Sequence, residues 1–259
     1  MKRFQKGVLI VMLVYFAIFI SLFGVTTIRK FFSKAYIVLD SGDKWMLENT
    51  KWVNLPDNEN SLYNWQKYKI YTDNKYFGDY KIFYNNKIYL FDDKDKSVSY
   101  DALNVIALKG NFAIVDYEVT ENFDEKGIEF LEDFIKKEKL NVELEQFRLK
   151  MYEINHKNSE KSDRIYVATN LFGEPGEAEE VLALIFCMYD NGKIEVLYSE
   201  HNVANMQLQF CSPQIRNVID FLDDGKYEII FECIYYMSSD TCHMMFEKEF
   251  GSYRKVIDC

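Results

Sequence analysis

Apolar and polar residues alternate along much of this chain, a pattern that favours β-strands with one face in a core. The alternation fills two regions, residues 37–120 and residues 139–259. Between them, residues 121–138 follow a helical period, with acidic residues first and lysines last, as the helix dipole favours. Four apolar side chains form the stripe of this amphipathic helix: Ile128, Leu131, Phe134 and Ile135.

The first strong hairpin signal covers residues 80–91. Asn85 and Asn86 tolerate the left-handed backbone of a two-residue turn, so Tyr84 is predicted to lie opposite Lys87. This register places Tyr80 opposite Phe91.

A second hairpin closes at Asn191–Gly192, with Asp190 predicted opposite Lys193. Both faces of its first strand, residues 181–188, are apolar, which indicates a central strand rather than an edge. One face is predicted to carry Val181, Ala183, Ile185, Cys187, Tyr189, Ile194, Val196 and Tyr198.

The third hairpin lies near the end of the sequence. A loop at residues 238–241 would set Met237 opposite Cys242 and Cys233 opposite Phe246. In this register Cys233 and Cys242 are about 13 Å apart along the sheet, beyond the ~7 Å that a disulfide allows between α-carbons. We therefore expect these two cysteines not to be bonded to each other.

An uncharged apolar run, Gly7–Ile28, precedes the alternating part. As a helix it would be about 33 Å long, enough to cross a bilayer core. It lacks the short apolar region and cleavage site of a secretory signal. We predict a single transmembrane helix after a cytoplasmic tail (1–6) and before a linker (29–36). The charges flanking the run are nearly balanced, and we expect the large domain to lie outside the cell membrane, because the short tail is more easily retained inside.

These patterns together predict a mainly β fold. We expect antiparallel sheets, arranged as propeller-like blades or as a sandwich, with one amphipathic helix and a preceding transmembrane helix.

The net charge of −10 argues against nucleic acid as a partner, because no basic stripe is present outside the flanks of the apolar run. Aromatic residues reach 17% of the chain. A carbohydrate- or peptide-binding surface is one interpretation. Packing in β-sheet cores, together with compositional bias, is the interpretation we favour.

Five cysteines are present, an odd number: Cys187, Cys211, Cys233, Cys242 and Cys259. A disulfide-stapled exported domain usually has an even set. Cys187 and Cys233 lie inside apolar strand patterns, so we predict that both are small buried hydrophobic residues. The cysteines match no zinc motif.

The acidic stretch "DFLDDGKYEIIFE", Asp220–Glu232, raises the question of a calcium loop. It departs from the EF-hand pattern, where Phe231 takes the place of the final acid. It is similar to the acidic loop of the FG-GAP or VCBS-type repeats of integrin-like β-propellers, through Asp220, Asp224, Gly225, Glu228 and Ile229. Leu222 departs from that pattern. The resemblance implies a four-stranded blade over about residues 215–257, with a loop that often binds calcium. The alternative, which we favour, is a plain turn with solvated acids.

No catalytic motif is recognisable, and we predict no catalytic, cofactor-binding or metal-binding residue. The three histidines, His156, His201 and His243, are expected to be ordinary exposed residues. The favoured function is a non-enzymatic binding module held in membrane lipid by its helix, with a protein or a cell-surface polymer as partner. A membrane-tethered hydrolase with a site assembled from separate loops, and an accessory subunit of a membrane complex, are the alternatives.

Overall fold

The computed structural model of the chain describes residues 35–39, 43–48, 51–55, 64–72, 75–85, 87–99, 105–155, 162–170, 180–203, 211–221, 226–235, 241–249 and 251–258. The predicted tail and transmembrane helix lie outside these residues, as does most of the predicted linker. Within them, the fold is mainly β, with antiparallel sheets and one α-helix, as the sequence predicts. No helix in these ranges is both long and apolar enough to cross a membrane.

The first sheet, sheet A, has eight strands in the order β3-β2-β1-β8-β4-β5-β6-β7. All its described pairings are antiparallel. Its strands are β1 (Tyr36–Leu39), β2 (Lys44–Glu48), β3 (Lys51–Asn54), β4 (Lys67–Thr72), β5 (Lys75–Tyr84), β6 (Ile88–Phe91), β7 (Ser97–Val98) and β8 (Val105–Lys109).

Two five-stranded sheets follow. Sheet C has the order β10-β11-β12-β13-β14, and sheet B has the order β18-β17-β16-β15-β9. Their strands are β9 (Phe112–Ile114), β10 (Tyr117–Thr120), β11 (Arg148–Asn155), β12 (Ser162–Thr169), β13 (Glu180–Met188), β14 (Ile194–Val203), β15 (Cys211–Phe221), β16 (Glu228–Tyr235), β17 (Thr241–Glu249) and β18 (Ser252–Ile257). Because β9 and β10 are separated by two residues only, the chain passes from one sheet to the other almost without interruption.

Sheet B is the central layer. One of its faces packs against sheet C in a core that includes Ile165, Ile185, Ile229, Phe231 and Phe246. Its other face packs against strands β1, β2, β3 and β8 of sheet A, through residues such as Ile37, Trp45, Leu108, Ile230 and Met245. Burying apolar area on both faces accounts for the six apolar residues among the eight of β16.

The helix, α1 (Glu125–Glu138), covers the outer face of sheet C. Asp124 caps its N-terminus by accepting a hydrogen bond from the backbone N–H of Gly127, at 2.9 Å. Gly127 lies so close to the sheet that a Cβ atom there would come within 2.5 Å of the Tyr166 ring. The predicted apolar stripe faces the sheet, and Leu131 is completely buried. The predicted helix is therefore confirmed.

The hairpin β5–β6 departs by one residue from the predicted register. Tyr84 pairs with Ile88 rather than with Lys87, because the connection contains three residues, 85–87, instead of two. A one-residue slip moves every side chain of a strand to the other face. The observed register places three apolar side chains together in a core: Ile82, Ile88 and Leu90.

The predicted register of the hairpin β13–β14 is wrong near the turn and correct beyond it. The backbone N–H of Tyr189 donates to the carbonyl oxygen of Lys193 at 2.9 Å, and Asp190 is not paired with Lys193. A bulge between Ile185 and Phe186 then restores the predicted pairing of Ile185 with Tyr198. As a consequence Ile194 and Val196 leave the predicted face. The central position of β13, between β12 and β14, is confirmed.

The pairing of β16 with β17 is shifted by four residues from the predicted register. Cys233 pairs with Cys242 and not with Phe246, and Ile229 takes the place opposite Phe246. Because four is an even number, every side chain keeps its predicted face. The alternation of the sequence was therefore equally compatible with the wrong register and the right one.

Candidate functional site

Half of one face of sheet A carries exposed aromatic side chains. Sheet B covers that face over β1, β2, β3, β8 and Tyr71 at the end of β4, whereas the other side chains of β4, β5 and β6 that point the same way are half-buried or exposed. We call this surface the open face. It consists of Trp65, Lys67, Lys69, Tyr76, Asp79, Lys81, Phe83, Lys87, Tyr89, Phe91, Asp93 and Asp95.

An aromatic cluster lies at one end of the open face. The ring of Trp65 is 5.5 Å from that of Phe83 and 4.9 Å from that of Phe91, measured between centroids. Tyr89 lies opposite Phe83 in the neighbouring strand. Trp65 is 52% exposed and Tyr89 is 37% exposed, so the cluster presents ring surface to solvent. Exposed aromatic groups of this kind mark binding surfaces.

The backbone holds Trp65 in this position. The residue has a left-handed conformation, with φ of 59°, and its N–H donates to the carbonyl oxygen of Ile82 at 2.7 Å. Next to it, the side-chain oxygen of Asn64 accepts a hydrogen bond from the N–H of Tyr84 at 2.7 Å. A bulky residue with positive φ is uncommon and is often associated with function.

Charged residues occupy the middle of the open face, and lysines there lie beside aspartates of opposite charge. Lys67 lies 3.1 Å from Asp93, and Lys81 lies 2.7 Å from Asp95. The hydrogen bond with Asp95 raises the pKa of Lys81. Lys69 pairs across the strands with Asp79. The surface therefore offers hydrogen-bond donors and acceptors without a strong field of either sign.

A second aromatic position lies at the other end of the open face. Tyr76 is 58% exposed, and its ring centroid is 5.6 Å from that of Tyr71. A hydrogen bond with Asp79 raises the pKa of Tyr76. From Tyr76 to Phe83 along β5, the open face is about 23 Å long at roughly 3.3 Å per residue. Aromatic groups therefore stand at both ends of a polar strip.

His243 forms a separate polar cluster between sheets B and A. Its Nδ1 lies 2.5 Å from Oδ2 of Asp43, and its Nε2 lies 3.8 Å from Oε1 of Glu232. Arg216 donates to the same Glu232 oxygen at 2.8 Å. The His243 side chain is fully buried. The expectation of an exposed histidine was wrong here, because β17 directs this residue toward sheet A instead of solvent.

The other two histidines add nothing to this cluster. His201 lies 3.2 Å from Glu180 at the exposed edge of sheet C, as an exposed histidine would. His156 lies outside the described residues.

A buried network around Asp163 links sheet C to sheet B. Its Oδ2 accepts hydrogen bonds from Lys248, from Tyr227 and, at 2.7 Å, from Tyr253. Burial opposes ionisation of this carboxyl, but the hydrogen bonds outweigh it, so the pKa of Asp163 is lowered. Burial raises the pKa of the Tyr227 and Tyr253 hydroxyls. All four side chains are largely enclosed, which gives the network a structural role.

The acids of the stretch that resembles a calcium loop are not solvated where the structure describes them. Asp220 is 4% exposed and Glu228 is 2% exposed, and Oε2 of Glu228 accepts a hydrogen bond from the N–H of Phe221 at 3.2 Å. The expectation of solvated acids was wrong for these two residues, because both lie within the sheet. Asp224 and Gly225 lie outside the described residues. In the part of the chain that the structure describes, no group of three or more His, Cys, Asp or Glu residues has a geometry that could hold a metal ion.

The strands around that turn form a meander. β15, β16, β17 and β18 are consecutive neighbours in sheet B, and the acidic turn joins the first two of them. The similarity to an FG-GAP repeat stays a prediction.

The cysteines divide into bonded and free groups. Cys211 and Cys233 form a disulfide, with α-carbons 5.0 Å apart. Cys242 is disulfide-bonded as well, and Cys187 is a buried free thiol. Cys187 is buried, as predicted. Cys233 and Cys242 are not bonded to each other, as predicted, but the large separation on which that prediction was based is wrong, because they are direct neighbours across β16 and β17. Cys233 is buried, as predicted, but it forms a disulfide instead of serving only as a small hydrophobic residue, because β15 brings Cys211 beside it.

Comparison with protein families, curated proteins and solved structures gave no match for this chain. The candidate site is therefore argued from its geometry alone.

Sequence reasoning missed the open face. The signal was the interleaving of Phe83, Tyr89 and Phe91 with the buried residues Ile82, Ile88 and Leu90, which gives this hairpin two apolar faces.

Proposed function

We propose that this protein is a membrane-anchored binding module that takes its ligand on the open face of sheet A. The observation that carries the proposal is the aromatic cluster of Trp65, Phe83, Tyr89 and Phe91, in which Trp65 and Tyr89 are exposed, on a half of sheet A that neither of the other two described sheets covers. Large aromatic side chains are among the residue types that contribute most to binding energies.

Two further features support a location at the outer surface of a membrane. The apolar run Gly7–Ile28 is long enough for an anchor. The disulfide Cys211–Cys233 is typical of domains that fold in an oxidising compartment. Both observations favour an exported domain tethered by its N-terminal helix, with a protein or a cell-surface polymer within reach.

The alternative of a membrane-tethered hydrolase would use the cluster of His243, Asp43 and Glu232. A catalytic base must reach the proton that it removes, and the His243 side chain is fully buried. The cluster is better explained as a polar contact between two sheets. An accessory subunit of a membrane complex would use the same open face toward a protein, so that this alternative differs from the proposal only in the ligand.

Replacing Trp65 with alanine should weaken ligand binding about tenfold or more, because the change removes the most exposed ring of the cluster. The measurement is co-sedimentation of the full-length protein, in detergent micelles, with cell-wall material isolated from the organism that produces the protein. Val196→Ala is the matched control, since Val196 is an exposed apolar residue on sheet C. Equal binding by wild type and Trp65→Ala would contradict the proposal, as would a loss of binding in the control alone.

A further inference from the structure

We infer that the ligand of the open face is an uncharged glycan chain. The inference rests on the proposed function and adds the chemical class of the ligand. It depends on three properties of the open face: the exposed ring surfaces, the balance of charge and the length.

The exposed rings suit the faces of sugar rings. A pyranose ring presents C–H groups on its flat sides and hydroxyl groups around its rim. The C–H side packs on an aromatic ring, and Trp65 and Tyr89 offer such ring surface to solvent. The hydroxyls need both donors and acceptors, and lysine and aspartate side chains beside the rings supply them.

The charge balance argues against an anionic ligand. The open face holds four lysines and three aspartates (Lys67, Lys69, Lys81, Lys87, Asp79, Asp93 and Asp95). Two of the lysines form ion pairs with aspartates, and Lys87 lies over the Tyr89 ring at 5.1 Å. The whole chain carries a net charge of −10. An acidic polymer or an anionic lipid surface would be repelled by the net charge of the molecule, and the four lysines and three aspartates of this face offset that repulsion by only one positive charge.

The geometry of the strands favours a glycan over a peptide that adds as a strand. β5 lies between β4 and β6, so its backbone groups are used in the sheet, and the open face presents side chains only. The distance of about 23 Å between Tyr76 and Phe83 suits an extended chain of several linked sugar rings. Such a chain would contact the aromatic cluster at one end and Tyr76 at the other.

The test is a titration of the full-length protein, in detergent micelles, with soluble oligosaccharides of increasing length. The probes are cello-, chito- and malto-oligosaccharides. The comparison probes are polygalacturonate, a proline-rich peptide and vesicles containing phosphatidylserine. We expect at least one neutral series to bind, with affinity that rises with chain length. Raising the salt from about 0.05 M to about 0.5 M should change that affinity by less than about twofold.

Two variants locate the ligand on the open face. Trp65→Ala should weaken the binding of all lengths about tenfold. Tyr76→Ala should weaken only the longer chains, because short ones do not reach that end. Val196→Ala should bind like the wild type. Isothermal titration calorimetry gives the affinities, and thermal melting shows that each variant is folded.

The outcomes separate the inference from the proposed function. Binding of the peptide alone, still weakened by Trp65→Ala, would overturn the glycan inference and leave the binding module in place. If only polygalacturonate or the vesicles bind, with an affinity that falls steeply as the salt concentration rises, then the ligand is anionic and the inference of an uncharged glycan is wrong. If no probe binds and the cell-wall material is bound equally by wild type and Trp65→Ala, both are wrong.

Discussion

Replacing Lys248 with methionine should lower the free energy of unfolding by about 3–5 kcal/mol, because the change leaves a buried carboxylate without its cation. The Nζ of Lys248 donates to Asp163, and the two side chains are 15% and 7% exposed. Tyr227 and Tyr253 donate to the same carboxylate oxygen, but hydroxyl groups do not neutralise its charge. Urea unfolding followed by tryptophan fluorescence measures the loss.

Two further variants show whether the loss comes from the unpaired charge. Asp163→Asn combined with Lys248→Met removes both charges, and we expect it to be more stable than Lys248→Met alone. Lys193→Met is the matched control, because Lys193 is 53% exposed and its contact with Glu195 is 3.6 Å long. Exposed pairs contribute about 1 kcal/mol or less. Equal losses in Lys248→Met and Lys193→Met would contradict the account of this network.

The same network contributes to the response of the protein to acid. The pKa of Asp163 is lower in the folded protein than its ordinary value of 3.8. A carboxyl with a depressed folded pKa contributes stability above its unfolded pKa, and this contribution is lost as the pH falls through the folded pKa. The wild type should therefore lose part of its stability below about pH 4, and Asp163→Asn should not show this part of the loss.

Removing the disulfide between Cys211 and Cys233 by the double change to alanine should lower stability by about 3 kcal/mol. The bond closes a loop over a sequence separation of 22 residues, and the main cost of its removal is the greater freedom of the unfolded chain. The measurement is urea unfolding of the oxidised proteins. Cys187→Ala is the control, because Cys187 is a buried free thiol that no disulfide would lose.

Peptide mapping without reductant checks the connectivity. We expect a fragment that joins Cys211 to Cys233. Cys233 and Cys242 are direct neighbours across β16 and β17, so a disulfide between them is the obvious alternative. A fragment that joins Cys233 to Cys242 would contradict the structure, in which Cys233 is bonded to Cys211.

The sequence predicted the kinds of element better than their pairing. The helical period of residues 121–138 is unambiguous, and Asp124 and the lysines mark both ends of α1. The register of β16–β17 was missed, because a shift of four residues leaves every apolar side chain on its face. The β13–β14 register was missed near the turn, because a bulge inside an apolar run leaves no local signal.

The candidate site was harder to predict than the fold. Whether Phe83 and Phe91 face a core or solvent depends on how the layers stack, and this is decided by contacts between distant segments. Trp65 precedes β4 in the sequence, and only folding places its ring against the other two. The burial of His243 has the same origin, since Asp43 lies 200 residues away along the chain.

Acrylamide quenching of tryptophan fluorescence tests the central claim, an open aromatic face on sheet A, most directly. Of the three tryptophans, Trp45 and Trp52 are buried and Trp65 is half exposed. We predict a readily quenched component in the wild type that disappears in Trp65→Phe and shrinks when a binding oligosaccharide is added. If the wild type and Trp65→Phe are quenched alike, or if a bound ligand leaves the component unchanged, then this ring does not form the surface on which the account depends.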